Sequence, residues 1–268
     1  MAMVHFSMGH TVNSVPSYMS ALQKLYDGAA LGPLPRGPSF ALVLRGLKRL
    51  LATSDQVVQT RAITMQHLHA MVQSLDIKDP ESVCFACHLI IAFFLCLRTE
   101  DHVNGRLKWG AVYPQPGGDV LFWLPPGKIH RTYRLVGITG RDDELDLQPW
   151  LQRLRAFVPA SSLQESSPLF MSFTVSSLGE QYFCPLTTGQ FTGRFKRCVR
   201  EVLGFDPELF SGYSLRRGGV TALVSSTCPV PVIKRHVGWA PGSQAIDAYY
   251  DHTAVEQLRI PSAALKNM

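Results

Sequence analysis

The chain has no apolar run long enough to cross a bilayer. Its longest, Val83 to Leu97, is broken by His88 and falls short of the roughly 20 residues a span requires, so it reads as a buried helix. The N-terminus lacks a secretory n-region and cleavage site, which points to an intracellular chain. There is no internal repeat and no low-complexity segment, which sets aside solenoids and disordered tails. Cysteines number six, and half of them (Cys84, Cys87, Cys96) fall in that one apolar stretch. They suit reduced core thiols better than a disulfide frame. Acidic residues are the scarcer sign, 20 against 26 Lys and Arg, and the net charge of +6 favours a polyanionic partner.

With 268 residues the chain can bury a sizeable core, as one large domain or two small ones. Helical periodicity starts near Pro16 and stops at Gly28, and Gly32 to Pro38 is a loop. Phe40 to Leu51 reads as an amphipathic helix carrying Arg45, Lys48 and Arg49 on one face. Residues 36–62 hold five cations against Asp55 alone, which fits contact with a phosphate backbone as well as a solvated face. The polar stretch Thr53 to Arg61 marks a domain boundary, which divides residues 1–57 from 58–268.

Beyond it, Ala62 to Leu75 and Pro80 to Leu97 read as helices, the second apolar all round and therefore central. It delivers Arg98, Glu100 and Asp101 at its C-terminal end, where the helix dipole disfavours carboxylates. Leu107–Tyr113, Asp119–Leu124 and Arg131–Ile138 read as three short strands, with Lys128 in or beside the second turn. Helices follow at Leu145 to Phe157, Thr188 to Leu203 (basic, with Arg194, Lys196, Arg197 and Arg200), Ser214 to Ser225, Pro229 to Val237 and Ser243 to Leu258. The expected fold is mainly α with one small antiparallel β-sheet, an α+β architecture. Cys84-Phe85-Ala86-Cys87-His88 spells a haem-attachment pattern. Inside a wholly apolar helix it reads as core packing, and no metal or cofactor is expected. His236 reads as a bystander on a helix surface.

Arg98, Lys128, Arg216, Trp239 and Tyr249 follow in an order that suits phosphodiester cleavage without metal. The chemistry needs a nucleophile, cations on the non-bridging oxygens and an acid for the leaving hydroxyl. Arginine forks meet two phosphate oxygens at once. Arg98 and Arg216 supply such clamps, Lys128 a general acid and Tyr249 the nucleophile. A phenol titrates near 10, so it needs nearby cations. Tyr250 is the competitor, but adjacent helical residues point about 100° apart, and Tyr249 is favoured.

These residues carry a family resemblance. Leu97-Arg98-Thr99-Glu100-Asp101 resembles the first-arginine box of the tyrosine recombinases (phage integrase family). Gly127-Lys128 followed by Tyr133-Arg134-Leu135-Val136 resembles their hairpin lysine, and Tyr213-Ser214-Leu215-Arg216-Arg217-Gly218-Gly219 their His-x-x-Arg box. Gly238-Trp239 followed by Tyr249 resembles the His/Trp position and the nucleophile. VPSYMSALQKLY and VLRGLKRL are similar to the recombinases of eukaryotic DIRS-like and Ngaro-type retroelements.

The resemblance implies the tyrosine recombinase catalytic fold behind a short helical N-terminal DNA clamp. It implies strand transfer through a 3′-phosphotyrosyl intermediate during integration of a mobile element, with no cofactor. It also implies double-stranded DNA as partner, a tetramer formed by exchange of C-terminal segments, and a nuclear location. Arg45, Lys48, Arg49, Arg194, Lys196, Arg197 and Arg217 are the candidate DNA contacts.

Three departures stand out. Tyr213 occupies the usual His position, and a phenol cannot act as a neutral-pH base. Asp101 stands where Glu is usual. Tyr249 follows Trp239 by ten positions rather than about nine, an extra residue to be absorbed at Pro241-Gly242. Only two helices precede the boundary, so the clamp reads as truncated. A DNA-binding protein on the same fold that no longer cuts is therefore the alternative, and a helical protein-interaction domain a third reading.

Overall fold

The computed structural model describes residues 15–33, 42, 60–126, 132–175, 181–226 and 228–250. The expected helix at Phe40–Leu51 with its cations Arg45, Lys48 and Arg49, the turn bearing Lys128, and the chain after Tyr250 lie outside the described residues. The chain divides into two compact units, residues 1–58 and 59–268. In the first, α1 (Val15–Gly28) matches the periodicity that begins near Pro16.

In the second unit the central element is α3 (Pro80–Phe94), preceded by α2 (Met65–Gln73). Asp79 caps α3 by accepting from the Glu81 and Ser82 amides, and Pro80 sits in the first turn where its missing N–H is not needed. Every residue from Ser82 to Phe93 is buried, as expected of a helix apolar all round. It packs against α5 (Leu147–Phe157) and α7 (Tyr213–Ser225). Strands β1 (Val112–Pro114), β2 (Val120–Leu124) and β3 (Arg134–Ile138) form an antiparallel sheet in that order. Val120, Phe122 and Leu124 point inward on β2, Val136 and Ile138 on β3.

A second antiparallel hairpin corrects the expectation of a single sheet. It joins β4 (Met171–Val175) and β5 (Gln181–Pro185) and precedes α6 (Thr188–Leu203). The pairing aligns Phe173 with Phe183, whose rings meet edge to face at 5.4 Å. Helix α6 begins with a Thr187–Gln190 capping box and ends at Gly204 in the left-handed conformation.

The end of α3 decides the rest. Cys96 adopts a left-handed φ of 49°, with its amide bonded to Phe93 O and that of Leu97 to Ala92 O. This is the Schellman arrangement, with cysteine where glycine is usual. The chain then restarts as α4 (Thr99–His102). Glu100 and Asp101 therefore lie in the first turn of a new helix, where the dipole favours carboxylates, not at the end of the old one. The expected conflict with the dipole does not exist.

Helix α7 lies directly on this corner. A Cβ on Gly218 would stand 1.8 Å from Ile63 O, and one on Gly219 2.1 Å from Phe93 O, so only glycine permits the approach. Gly212, just before α7, meets the Thr99 side chain instead, where a Cβ would stand 2.1 Å from Oγ1. Helices α8 (Val230–Val237) and α9 (Asp247–Tyr250) complete the unit, α9 packing on α7. Two short turns lie between Trp239 and Tyr249, closed by the Ser243 amide on Ala240 O and the Asp247 amide on Gln244 O.

Candidate active site

The glycine contacts bring the corner before α4 and the first turn of α7 together. Arg98 lies on the first and Arg216 on the second. The Arg98 side chain, 30% exposed, has Asp101 as its nearest carboxylate at 4.0 Å, while the Arg98 amide donates to Asp101 Oδ2 at 3.2 Å. Arg216 is 1% exposed. Its Nη1 donates to Cys96 O at 2.5 Å and its Nη2 to Val237 O at 3.4 Å, while Nε has no partner among the described residues. Burial, and next the charge of Arg98, pull the Arg216 pKa down. Two cations within each other's field, one with a buried unused donor, form a place that favours an anion.

Gly238 ends α8 in the left-handed conformation and turns Trp239 inward. The indole is 6% exposed, with the Arg216 guanidinium over it at 5.7 Å and the Tyr249 ring 5.5 Å away. Tyr249 is buried, and its hydroxyl shares a 2.7 Å hydrogen bond with that of Tyr213. Burial first, then this bond, raises the Tyr249 pKa, and Arg216 and Arg217 oppose the rise. Tyr213 is 43% exposed and opens this tyrosine pair to solvent.

Arg98, Arg216, Tyr213, Trp239 and Tyr249 thus come together from four separate stretches of chain. Lys128 and the Tyr250 side chain lie outside the described residues. Other candidates stand elsewhere. Arg194 pairs with Asp79 and Glu81 and covers Phe85, all at the N-terminal end of α3. That is about 20 Å from Cys96 along a helix of 15 residues. Lys196 pairs with Glu208, and Arg197 is exposed on the same helix. Arg217 donates to Thr60 O at 2.9 Å. Arg194, Lys196 and Arg197 are therefore not part of the arginine–tyrosine group, whereas the charge of Arg217 is felt at Tyr249.

His236, expected on an open helix surface, is part-buried instead, with Nε2 2.8 Å from Phe94 O. Arg134 carries no role in the sequence reading, yet it enters the same neighbourhood from β3 and donates to His236 O at 2.5 Å. The Cys-x-x-Cys-His stretch is core: His88 stacks between Phe170 and Phe191 at 4.1 and 4.0 Å. Among the described residues no group of three or more His, Cys, Asp or Glu is placed to hold a metal ion, and no helix is long and apolar enough to cross a membrane.

No protein-family model and no curated protein sequence matches the chain. Solved structures do. The Tn1549 transposon integrase (residues 82–397) in complex with circular intermediate DNA superposes with a TM-score of 0.57 at 12% identity, over 96% of this chain and 82% of that one. The XerH site-specific recombinase in a post-cleavage complex with palindromic difH substrate gives 0.53 at 16% identity, over 76% of this chain. The chain spans about half of that XerH chain, 52%. XerA recombinase gives 0.51 at 12% identity, over 97% and 88%. The fold is the one these recombinases and integrases share: mainly helical with small antiparallel sheets, the tyrosine recombinase catalytic fold.

Proposed function

We propose that this chain cleaves and rejoins DNA strands through a covalent tyrosine intermediate. The observation that carries the reading is the gathering of Arg98, Arg216, Trp239 and the Tyr249 hydroxyl in one place, in the order that the resemblance implies. Arg98 and Arg216 hold the non-bridging oxygens of a phosphodiester, and the spare Arg216 Nε adds a donor. Tyr249 Oη attacks phosphorus. The bond to the 5′-oxygen breaks and its electron pair leaves with that oxygen, which Lys128 protonates. The result is a 3′-phosphotyrosyl link. The Tyr249 proton leaves along the hydrogen bond to Tyr213, whose exposure connects it to water. Rejoining is the reverse, with a 5′-hydroxyl as nucleophile.

The finer reading follows from the resemblance. The substrate is double-stranded DNA of a mobile element of the DIRS-like or Ngaro kind, recombined by a tetramer in the nucleus. Residues 1–57 act as a helical clamp through Arg45, Lys48 and Arg49, and residues 58–268 as the catalytic domain. Arg194, Lys196 and Arg197 lie outside the arginine–tyrosine group, and any contact they make is with DNA backbone away from the cut, while Arg217, whose charge reaches Tyr249, contacts backbone beside it.

The test is covalent capture on a library of duplexes of random sequence, each nicked so that cleavage cannot be reversed. A denaturant-stable protein–DNA adduct in the wild type, absent from Tyr249→Phe, is expected. An adduct that survives the Phe substitution removes the mechanism. A second reading is favoured by the Tyr213–Tyr249 bond, which holds the phenol neutral: a DNA-binding protein that no longer cuts. It shows salt-dependent duplex binding, with log affinity falling linearly in log salt, and no adduct.

A further inference from the structure

We propose that Arg134 is a positioning residue of this pocket, a third guanidinium that fixes the turn carrying Trp239 and completes the seat for the phosphate. The inference rests on the strand-cleavage reading and names a residue that the five-residue constellation leaves out.

The geometry is a strap across three elements. Arg134 opens β3, on the far side of the turn that bears Lys128. Its Nη1 donates to His236 O in the last turn of α8. The ring of the same His236 bonds Phe94 O at the end of α3. Those carbonyls neighbour the two that hold Arg216: Val237 O follows His236, and Cys96 O lies two residues beyond Phe94. The His236 ring therefore spans the two elements whose carbonyls aim Arg216, and Arg134 holds the His236 backbone that carries that ring. Arg134 also ties the base of the lysine hairpin to the Gly238-Trp239 turn.

Charge supports the same placement. Burial pulls the Arg134 pKa down to about 10, and the fields of Arg216 and Arg98 add to the fall, with Asp101 opposing it. At neutral pH it is still a cation. The charges of Arg216 and Arg98 are thus felt at Arg134, and Asp101 is the carboxylate whose field is felt there. Like charges gathered in a partly dry corner repel one another, and an anion between them relieves the repulsion. A pure structural tie to a carbonyl needs no charge, so a neutral donor there would serve as well.

The experiment compares the full-length wild type with Arg134→Lys, Arg134→Gln and, as a distal control, Arg153→Gln, whose side chain lies over Trp150. Two readouts are taken. Affinity for inorganic phosphate, by ³¹P NMR titration, needs neither a DNA target nor catalysis. The rate of adduct formation at saturating DNA, with the half-saturating concentration, is measured on the duplex recovered by covalent capture. Arg134→Gln is expected to weaken phosphate binding roughly tenfold and slow adduct formation on the order of 100-fold at saturation, with the half-saturating concentration unchanged. Arg134→Lys is expected to recover phosphate affinity, since it keeps the charge, but not the rate, since it loses the fork.

Wild-type phosphate affinity and rate in Arg134→Gln overturn the proposal. So does a Gln variant whose only change is a lowered Tm, with the Lys variant equally affected. If the wild type forms no adduct while phosphate affinity follows the expected order, Arg134 keeps its place in an anion pocket and strand cleavage falls. If the wild type forms an adduct and Arg134→Gln does not differ, strand cleavage stands and Arg134 falls.

Discussion

Acid should loosen the corner that presents Arg98, and the amount can be worked from two buried histidines. His88 on α3 and His102 at the end of α4 bond through His88 Nε2 and His102 Nδ1, and both are essentially unexposed. Their outer nitrogens, His88 Nδ1 and His102 Nε2, have no partner among the described residues. Burial pushes the His102 pKa down to about 3. Burial, and then the charge of His102, hold His88 well below its usual range. In the unfolded chain both titrate near 6.5. Depressed values mean that the unfolded state takes up protons first as pH falls. The pair's contribution is thus complete above about pH 6.5 and lost below it, toward the folded values.

Between pH 7 and pH 5 each neutral histidine forfeits about 2 kcal/mol, so the pair forfeits about 4 kcal/mol. That is a large share of the roughly 5–15 kcal/mol that keeps a domain folded. The assay is urea unfolding at both pH values, for the wild type and for His88→Leu/His102→Leu. The other titrating groups are common to the two proteins and cancel in the difference. The wild type is expected to lose about 4 kcal/mol more than the double variant. Equal losses refute the claim that the pair is held neutral, and with it the idea that acid detaches α4, and Arg98, from α3.

Two further outcomes follow from contacts around the pocket. Gly219→Ala places a methyl 2.1 Å from Phe93 O, a backbone atom that cannot yield, so a loss of roughly 3 kcal/mol and a Tm fall of roughly 10 °C are expected. An unchanged melting curve contradicts the close seating of α7 on α3. Tyr213→Phe removes the hydrogen bond that raises the Tyr249 pKa, so the rate–pH profile of adduct formation should move to lower pH. A shift to higher pH, measured in single turnover, contradicts that sign.

Elements whose signals are local are legible in the amino-acid sequence. Pro16 to Gly28 and Thr188 to Leu203 carry their own periodicity and stop signals, and the observed helices, Val15–Gly28 and Thr188–Leu203, agree closely. The unbroken apolarity of Val83 to Leu97 marks the central helix, because a helix without a polar face has nowhere else to go. The order of Arg98, Arg216, Trp239 and Tyr249 is equally plain, since order is a property of the sequence.

What belongs to pairs of residues far apart in the chain is not legible there. The break at Cys96 rests on a left-handed cysteine where glycine is usual, so local pattern alone places Glu100 and Asp101 at the wrong helix end. The β4–β5 hairpin is fixed by pairing across strands. Arg134 and His236 have no local pattern at all, and their roles arise from carbonyls on α8 and α3. Side-chain chemistry and chain order alone fix which residues could handle a phosphate and in what order they occur. The close packing of Gly212, Gly218 and Gly219 decided that they meet, because convergence depends on how near two backbones can approach. That distance is set by contacts across the fold.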